Sequence, residues 1–159
     1  YNQIRFQNFL DFGYLTENVD PSLKSGLMKF GQFNLHFLPH NLWAMLLAGP
    51  VWDAKQGIIS PAGDGMSIFL TTPALFFLFR KFKKSVLSIG AWVAIAFLLV
   101  PLLLYYNTGW WQFGYRFSLD FMPAVMLLFA LGLEEKPEWG FWFVVGLGVL
   151  VNAWGALWF

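Results

Sequence analysis

From Val86 to Tyr106 the chain runs through 21 residues without a charged side chain, and no other feature narrows its folding choices as much. In hydrocarbon every backbone N–H and C=O must be satisfied within the segment, so such a stretch reads as a helix crossing a bilayer. Roughly 20 apolar residues is the length a crossing requires. Tyr105-Tyr106 supply an aromatic anchor where the helix leaves the lipid. Pro101 falls inside the run and predicts a kink that frees the carbonyl of Phe97.

The rest of the chain follows suit. It is 58% hydrophobic and only 12% charged, with a mean hydropathy of +0.56, whereas soluble domains are roughly a quarter charged. The 19 Phe and 9 Trp suit lipid-facing helices ending in interfacial belts. A net charge of +1 argues against a nucleic-acid partner, and the lack of Cys excludes disulfides, Cys metal sites and thiol nucleophiles. The expected class is an all-α polytopic membrane protein, with about four transmembrane helices and further helices lying at the outer face. The chain opens at Tyr1 with no initiator Met or signal peptide and stops at Phe159 inside an apolar run, so it is expected to be a fragment of a longer protein.

Residues 1–26 mix aromatics with amides and turn signals and are expected to be an outer-face loop, with Asp20 or Ser22 capping a following helix. Residues 27–50 are hydrophobic but carry Gln32, Asn34, His36, Pro39, His40 and Asn41 in their middle. That is costly in hydrocarbon, so they read as a pair of interfacial helices interrupted near Pro39. Residues 51–65 read as an outer loop. A bundle over residues 66–159 then follows, with spans at about 66–79, 86–106, 117–133 and 139–158. The first is short, 14 residues, and is followed by four cations in the five residues Arg80 to Lys84. The positive-inside rule puts that cluster in the cytoplasm. Glu134 to Glu138 make the other cytoplasmic turn. Gly148, Asn152, Gly155 and Ala156 share one side of the last span, a small-residue face for close packing.

Parity then gathers the chemistry-bearing side chains on the outer side. If the helix after the outer loop begins near Gln112, then Gln112, Arg116 and Asp120 recur every fourth residue on one face. An ionised Asp120 facing lipid would cost on the order of 3 kcal/mol, so it should face protein, water or Arg116. Pro123 adds a freed carbonyl, that of Leu119, beside the same stripe. Arg116 is either a headgroup anchor or a ligand for a lipid-linked phosphate. Asp120 is expected to orient it. His36 and His40 are spaced for a shared metal, but Pro39 lies between them and interfacial hydrogen bonding is the default, so no metal site is expected. Arg5 is a second outer cation, Gly63-Asp64-Gly65 is too short for a phosphate loop, and Lys81 to Lys84 serve orientation and contact with anionic lipid.

Several blocks taken together carry a resemblance. Tyr1-Asn2-Gln3-Ile4-Arg5-Phe6-Gln7-Asn8-Phe9-Leu10-Asp11-Phe12-Gly13-Tyr14, then Asn41-Leu42-Trp43 with Gly49-Pro50, then Gln112-Phe113-Gly114-Tyr115-Arg116-Phe117, resemble the C-terminal half of bacterial membrane glycosyltransferases of the GT-C type. These are relatives of protein mannosyltransferases and aminoarabinose lipid A transferases. The resemblance implies transfer of a sugar from a polyprenyl-phosphate donor to an acceptor at the outer face of the bacterial inner (cytoplasmic) membrane, metal-assisted or by acid/base chemistry. The family's acidic catalytic residue lies in its first outer loop and has no counterpart here. The catalytic residues are therefore unassigned, and a divalent metal is implied only for the full-length enzyme. Arg116, with Gln112 and Arg5, matches the donor-phosphate binders. The partners implied are a polyprenyl-phosphate-linked sugar and membrane lipids. Two other readings stay open: a transporter or flippase segment, in which Asp120 and Pro73, Pro101 and Pro123 belong to a moving pathway, and a non-catalytic structural membrane subunit.

Overall fold

The computed structural model describes residues 1–7, 9, 19–54, 57–79, 84–109, 111–132 and 138–158. The cation cluster at 80–83, the acidic turn at 133–137 and Trp110 lie outside the described residues, so the side of the membrane assigned to them is left as a sequence expectation. The chain forms two compact units, residues Tyr1–Gly31 and Gln32–Phe159.

The first unit is more regular than the outer-face loop expected of it. It holds a short helix α1 (Asn2–Phe6) and a longer α2 (Pro21–Phe30). Pro21 sits at the first turn of α2, where its missing N–H costs nothing. Asp20 caps the helix as expected, its Oδ1 accepting from the Ser22 N–H at 2.9 Å and the Ser22 hydroxyl at 2.6 Å. Those two bonds hold the Asp20 carboxyl below its ordinary pKa. Gly31, at φ 75°, ends α2 by donating to the Leu27 carbonyl.

The break in the residues 27–50 region therefore falls at Gly31–Asn34, upstream of Pro39. A 3-10 turn at Leu35–Phe37 leads directly into α3 (Leu38–Leu46), and Pro39 lies in the first turn of α3, where it starts the helix. Asn34 caps the turn through its side chain.

Residues 51–65, expected as loop, contain an antiparallel hairpin of β1 (Val51–Asp53) and β2 (Ile58–Ser60), followed by β3 (Asp64–Met66). The segment expected as the first span is not one continuous α-helix. After β3 comes one turn of helix, α4 (Ile68–Thr71), and then a 3-10 stretch at Pro73–Phe79. Pro73 cannot donate to an i−4 carbonyl, so the α-helix stops in front of it. The 3-10 form rises about 2.0 Å per residue against about 1.5 Å for α, which lengthens the reach of a short apolar run.

Three helices stand where the uncharged runs place them: α5 (Val86–Leu104), α6 (Ser118–Gly132) and α7 (Trp139–Ala156). Between α5 and α6 lies a strand, β4 (Gln112–Gly114), paired parallel to β3 with Asp64 opposite Gln112 and Met66 opposite Gly114. The protein is thus mostly helical with four short strands among the described residues, rather than all-α. Two helices, α5 and α7, are long and apolar enough to cross a membrane, and α6 is a shorter apolar helix. At about 1.5 Å per residue α5 is roughly 28 Å long, close to the thickness of a hydrocarbon core.

The α5 helix starts in a reciprocal cap: the Ser88 N–H donates to Ser85 Oγ at 3.1 Å and the Ser85 N–H to Ser88 Oγ at 2.9 Å. Its other end is held by Asn41, 1% exposed, whose Nδ2 donates to the carbonyls of Leu103 at 2.9 Å and Tyr105 at 2.7 Å. These are C-terminal carbonyls that the helix itself leaves without a donor. The Gln32–Asn34 segment ties to the same end, with the Asn34 N–H on the Leu104 carbonyl and the Tyr106 N–H on the Gln32 carbonyl.

Ala91 and Ile95 of α5, Phe121, Val125 and Leu128 of α6, and Ala44 and Met45 of α3 form one core with Ile68, Leu75 and Tyr115. The rest of α5 is uncovered, including Phe97, Val100 and Ile89, each more than half exposed. α7 packs along the 68–79 segment in the opposite direction. The small-residue face expected on it is in place: Gly148 lies against Pro73, Gly155 leaves room for the Phe113 ring, and Asn152 Nδ2 donates to the Thr71 carbonyl at 2.7 Å. At the far end Phe141 meets Phe77 and Phe129. The 68–79 segment, α5, α6 and α7 therefore run antiparallel in turn, and α3, β3, β4 and the start of α6 share one end.

Candidate functional site

The expected stripe of Gln112, Arg116 and Asp120 on one helical face is not formed. Gln112 is in β4, Arg116 is in the turn after it, and the helix begins only at Ser118. Strand pairing to β3 wins locally because it satisfies the backbone: Gln112 N–H bonds the Gly63 carbonyl at 3.0 Å and Tyr115 N–H bonds the Met66 carbonyl at 3.0 Å.

Gln112 is buried, 7% exposed, and its carboxamide is fully engaged. Nε2 donates to the carbonyls of Asp64 at 2.8 Å and Thr108 at 2.7 Å, and Oε1 accepts the backbone N–H of Arg116 at 3.2 Å. Two glycines make room for it. Gly65 and Gly109 have φ of +98° and +129°, and a Cβ on either would run into the Gln112 side chain. Asn107 shapes the approach, its Oδ1 accepting the Gly109 N–H at 2.9 Å. Gln112 therefore cannot also bind a phosphate without giving up this seat. It is the residue that places Arg116.

Arg116 is exposed, and among the described residues its guanidinium has no hydrogen bond or ion pair. Asp120, two residues into α6, is exposed as well and forms no ion pair with Arg116, since the turn between them is not helical. The start of α6 is closed by its own turn bonds, Ser118 N–H to Tyr115 O and Leu119 N–H to Arg116 O. Directly beside Arg116, Tyr115 is 2% exposed in the core, and its Oη is buried with no hydrogen-bond partner among the described residues. Burial first, and the Asp120 charge second, push the Tyr115 hydroxyl up to about 12.

Arg5, in the first unit, donates from Nη1 to Tyr1 Oη at 2.7 Å and lies over the rings of Tyr1 and Phe6. His36 and His40 are both exposed; His36 meets the edge of Phe37, and His40 stacks on Trp43 at 6.1 Å. No cluster of three or more His, Asp or Glu suited to a metal occurs among the described residues. Asp64 contributes through its backbone carbonyl.

Sequence reasoning missed the positioning role of Gln112, the orphaned Tyr115 hydroxyl and the capping role of Asn41. A signal for the first was present: Gly65 and Gly109 are glycines where the Gln112 side chain needs space. No protein-family model matches the chain, and no curated protein or solved structure shows significant similarity to it.

Proposed function

We propose that this chain is the membrane-embedded part of a glycosyltransferase that moves a sugar from a polyprenyl-phosphate donor to an acceptor at the outer face of the bacterial inner membrane. Arg116 is the residue that contacts the donor phosphate. The observation that carries this reading is an exposed guanidinium with no side-chain partner among the described residues, on a backbone pinned by a buried glutamine. A planar fork held in this way suits phosphate oxygens, because little ordering remains to be done on binding. Gln112 then acts by positioning, and Asp120 acts on Tyr115 and on the local field rather than as a clamp.

The parallel β3–β4 pairing supports the four-span arrangement. If α5 is one crossing, the pairing of β3 with β4 fits a second crossing between them, for which the Ile68–Phe79 segment is the candidate. Stretched in 3-10 form and laid against α7, this segment is sheltered where it is shortest.

A donor titration of the whole transferase decides the point. Arg116→Lys keeps the charge but loses the fork, so apparent donor affinity should fall while the fold is retained. If affinity and turnover are unchanged, Arg116 is a headgroup anchor, for which Lys would serve equally well.

A further inference from the structure

The β1–β2 hairpin is a two-stranded sheet that no other strand joins among the described residues. Trp52 pairs with Ile59 on one face, and these side chains are 65% and 54% exposed. Val51 and Ile58, paired with Ser60 and Asp53 on the other face, are exposed too. An isolated hairpin of this size is marginal in water, and one that holds a Trp-Ile pair outward has the wrong surface for it.

Its position limits what can cover that face. Both feet are pinned to the platform at the end of α5 and the start of α6. On one side the Ala48 carbonyl accepts the Ser67 N–H at 2.8 Å, and on the other the Gly63 carbonyl accepts the Gln112 N–H at 3.0 Å. Strands of three residues reach about 10 Å at roughly 3.3 Å per residue. The hairpin therefore stays close to the level at which a helix the length of α5 leaves hydrocarbon, in or beside a headgroup layer on the order of 6 Å deep. Trp43 of the preceding α3 and Leu47 just after that helix are exposed on the way into it. Tryptophan beside aliphatic side chains is the composition favoured at that depth.

We infer that the Trp52–Ile59 face of the β1–β2 hairpin docks into the lipid headgroup region, forming a shallow membrane-contact element beside the Arg116 platform. This rests on α5 crossing the bilayer, as proposed above. The hairpin then keeps the platform at headgroup level, where a lipid-linked phosphate lies.

The Cys-free chain allows a direct test. Ile59→Cys labelled with the fluorophore NBD is reconstituted in phosphatidylcholine vesicles, with Val93→Cys in the middle of α5 labelled in parallel. Each is quenched by a lipid carrying its nitroxide at the headgroup or by one carrying it near the end of an acyl chain. The label at position 59 should emit to the blue of its value in water and be quenched more strongly by the headgroup nitroxide. The label at position 93 should respond to the deep nitroxide. Water-like, unquenched emission at position 59 with deep quenching at position 93 overturns the docking and leaves the span intact. Blue-shifted emission at position 59 that neither lipid quenches means that protein covers the face, and also overturns it. Loss of deep quenching at position 93 removes the span and the inference with it.

Discussion

The side-chain oxygen of Gln112 accepts the backbone N–H of Arg116 at 3.2 Å, so the residue that presents the exposed cation is set in place by a neighbour with no exposed chemistry of its own. Because the same carboxamide also serves Asp64 and Thr108, the three segments that meet there depend on one side chain.

Gln112→Ala leaves the buried Thr108 carbonyl, the Asp64 carbonyl and the Arg116 N–H without their side-chain partner, and should cost about 3 kcal/mol or more at roughly 1–3 kcal/mol for each unsatisfied group. Gln112→Glu should be at least as damaging, since a carboxylate would face the carbonyls of Asp64 and Thr108 with no proton to donate. Thermal unfolding in a mild detergent, followed by near-UV circular dichroism, measures both.

Gly65→Ala and Gly109→Ala should lower stability for two reasons at once, positive φ and collision with the Gln112 side chain. If the collision matters, Gly65→Ala combined with Gln112→Ala should lose less than the sum of the two single variants. Strict additivity in the same unfolding assay would mean that backbone strain alone is responsible.

Tyr115→Phe removes a buried hydroxyl that has no partner, so it should be neutral or stabilising by about 1 kcal/mol. The pH dependence has a definite sign. In the folded chain Tyr115 keeps its proton up to about 12, whereas the unfolded chain releases it near 10.0. Between those values the unfolded state binds fewer protons, so stability falls as pH rises. The contribution is complete below pH 10 and is lost through pH 12. Melting temperatures across that window should decline less in Tyr115→Phe than in the parent.

Asn41→Asp should destabilise more than Asn41→Ala. Alanine leaves the Leu103 and Tyr105 carbonyls undonated, and aspartate adds a negative charge at the negative end of α5. Hydrogen exchange confined to the last turn of α5 and to Gln32–Asn34 would report it.

Much of the bundle was legible in the chain. The limits of α5, α6 and α7 follow from the lengths of uncharged apolar runs, which are local properties, and the Gly148, Asn152 and Gly155 face follows from helical period. The candidate site was not legible to the same degree. A four-residue spacing of Gln112, Arg116 and Asp120 is compatible with a helix but does not require one. What decides the matter is pairing with Asp64–Met66, 48 residues from Gln112 at its first register position. Strand pairing at that separation has no signature in either segment taken alone. The 66–79 run reads as one continuous helix for a nearer reason: its apolar composition concealed what Pro73 does to the backbone.

The parallel pairing of Asp64–Met66 with Gln112–Gly114 also has a consequence for biogenesis. The first strand is synthesised well before the second, and it waits with the carbonyls of Gly63, Asp64 and Met66 undonated until the chain has gone out and returned. On the four-span arrangement proposed above, a nascent chain in which the Ile68–Phe79 segment fails to enter the bilayer would deliver Gln112 to the opposite side of the membrane, where the ladder cannot close. On that arrangement the seat of Arg116 would act as a proofreading joint for insertion. Only a correctly threaded chain completes it, and a misthreaded one is left with an open edge that quality-control proteases can find.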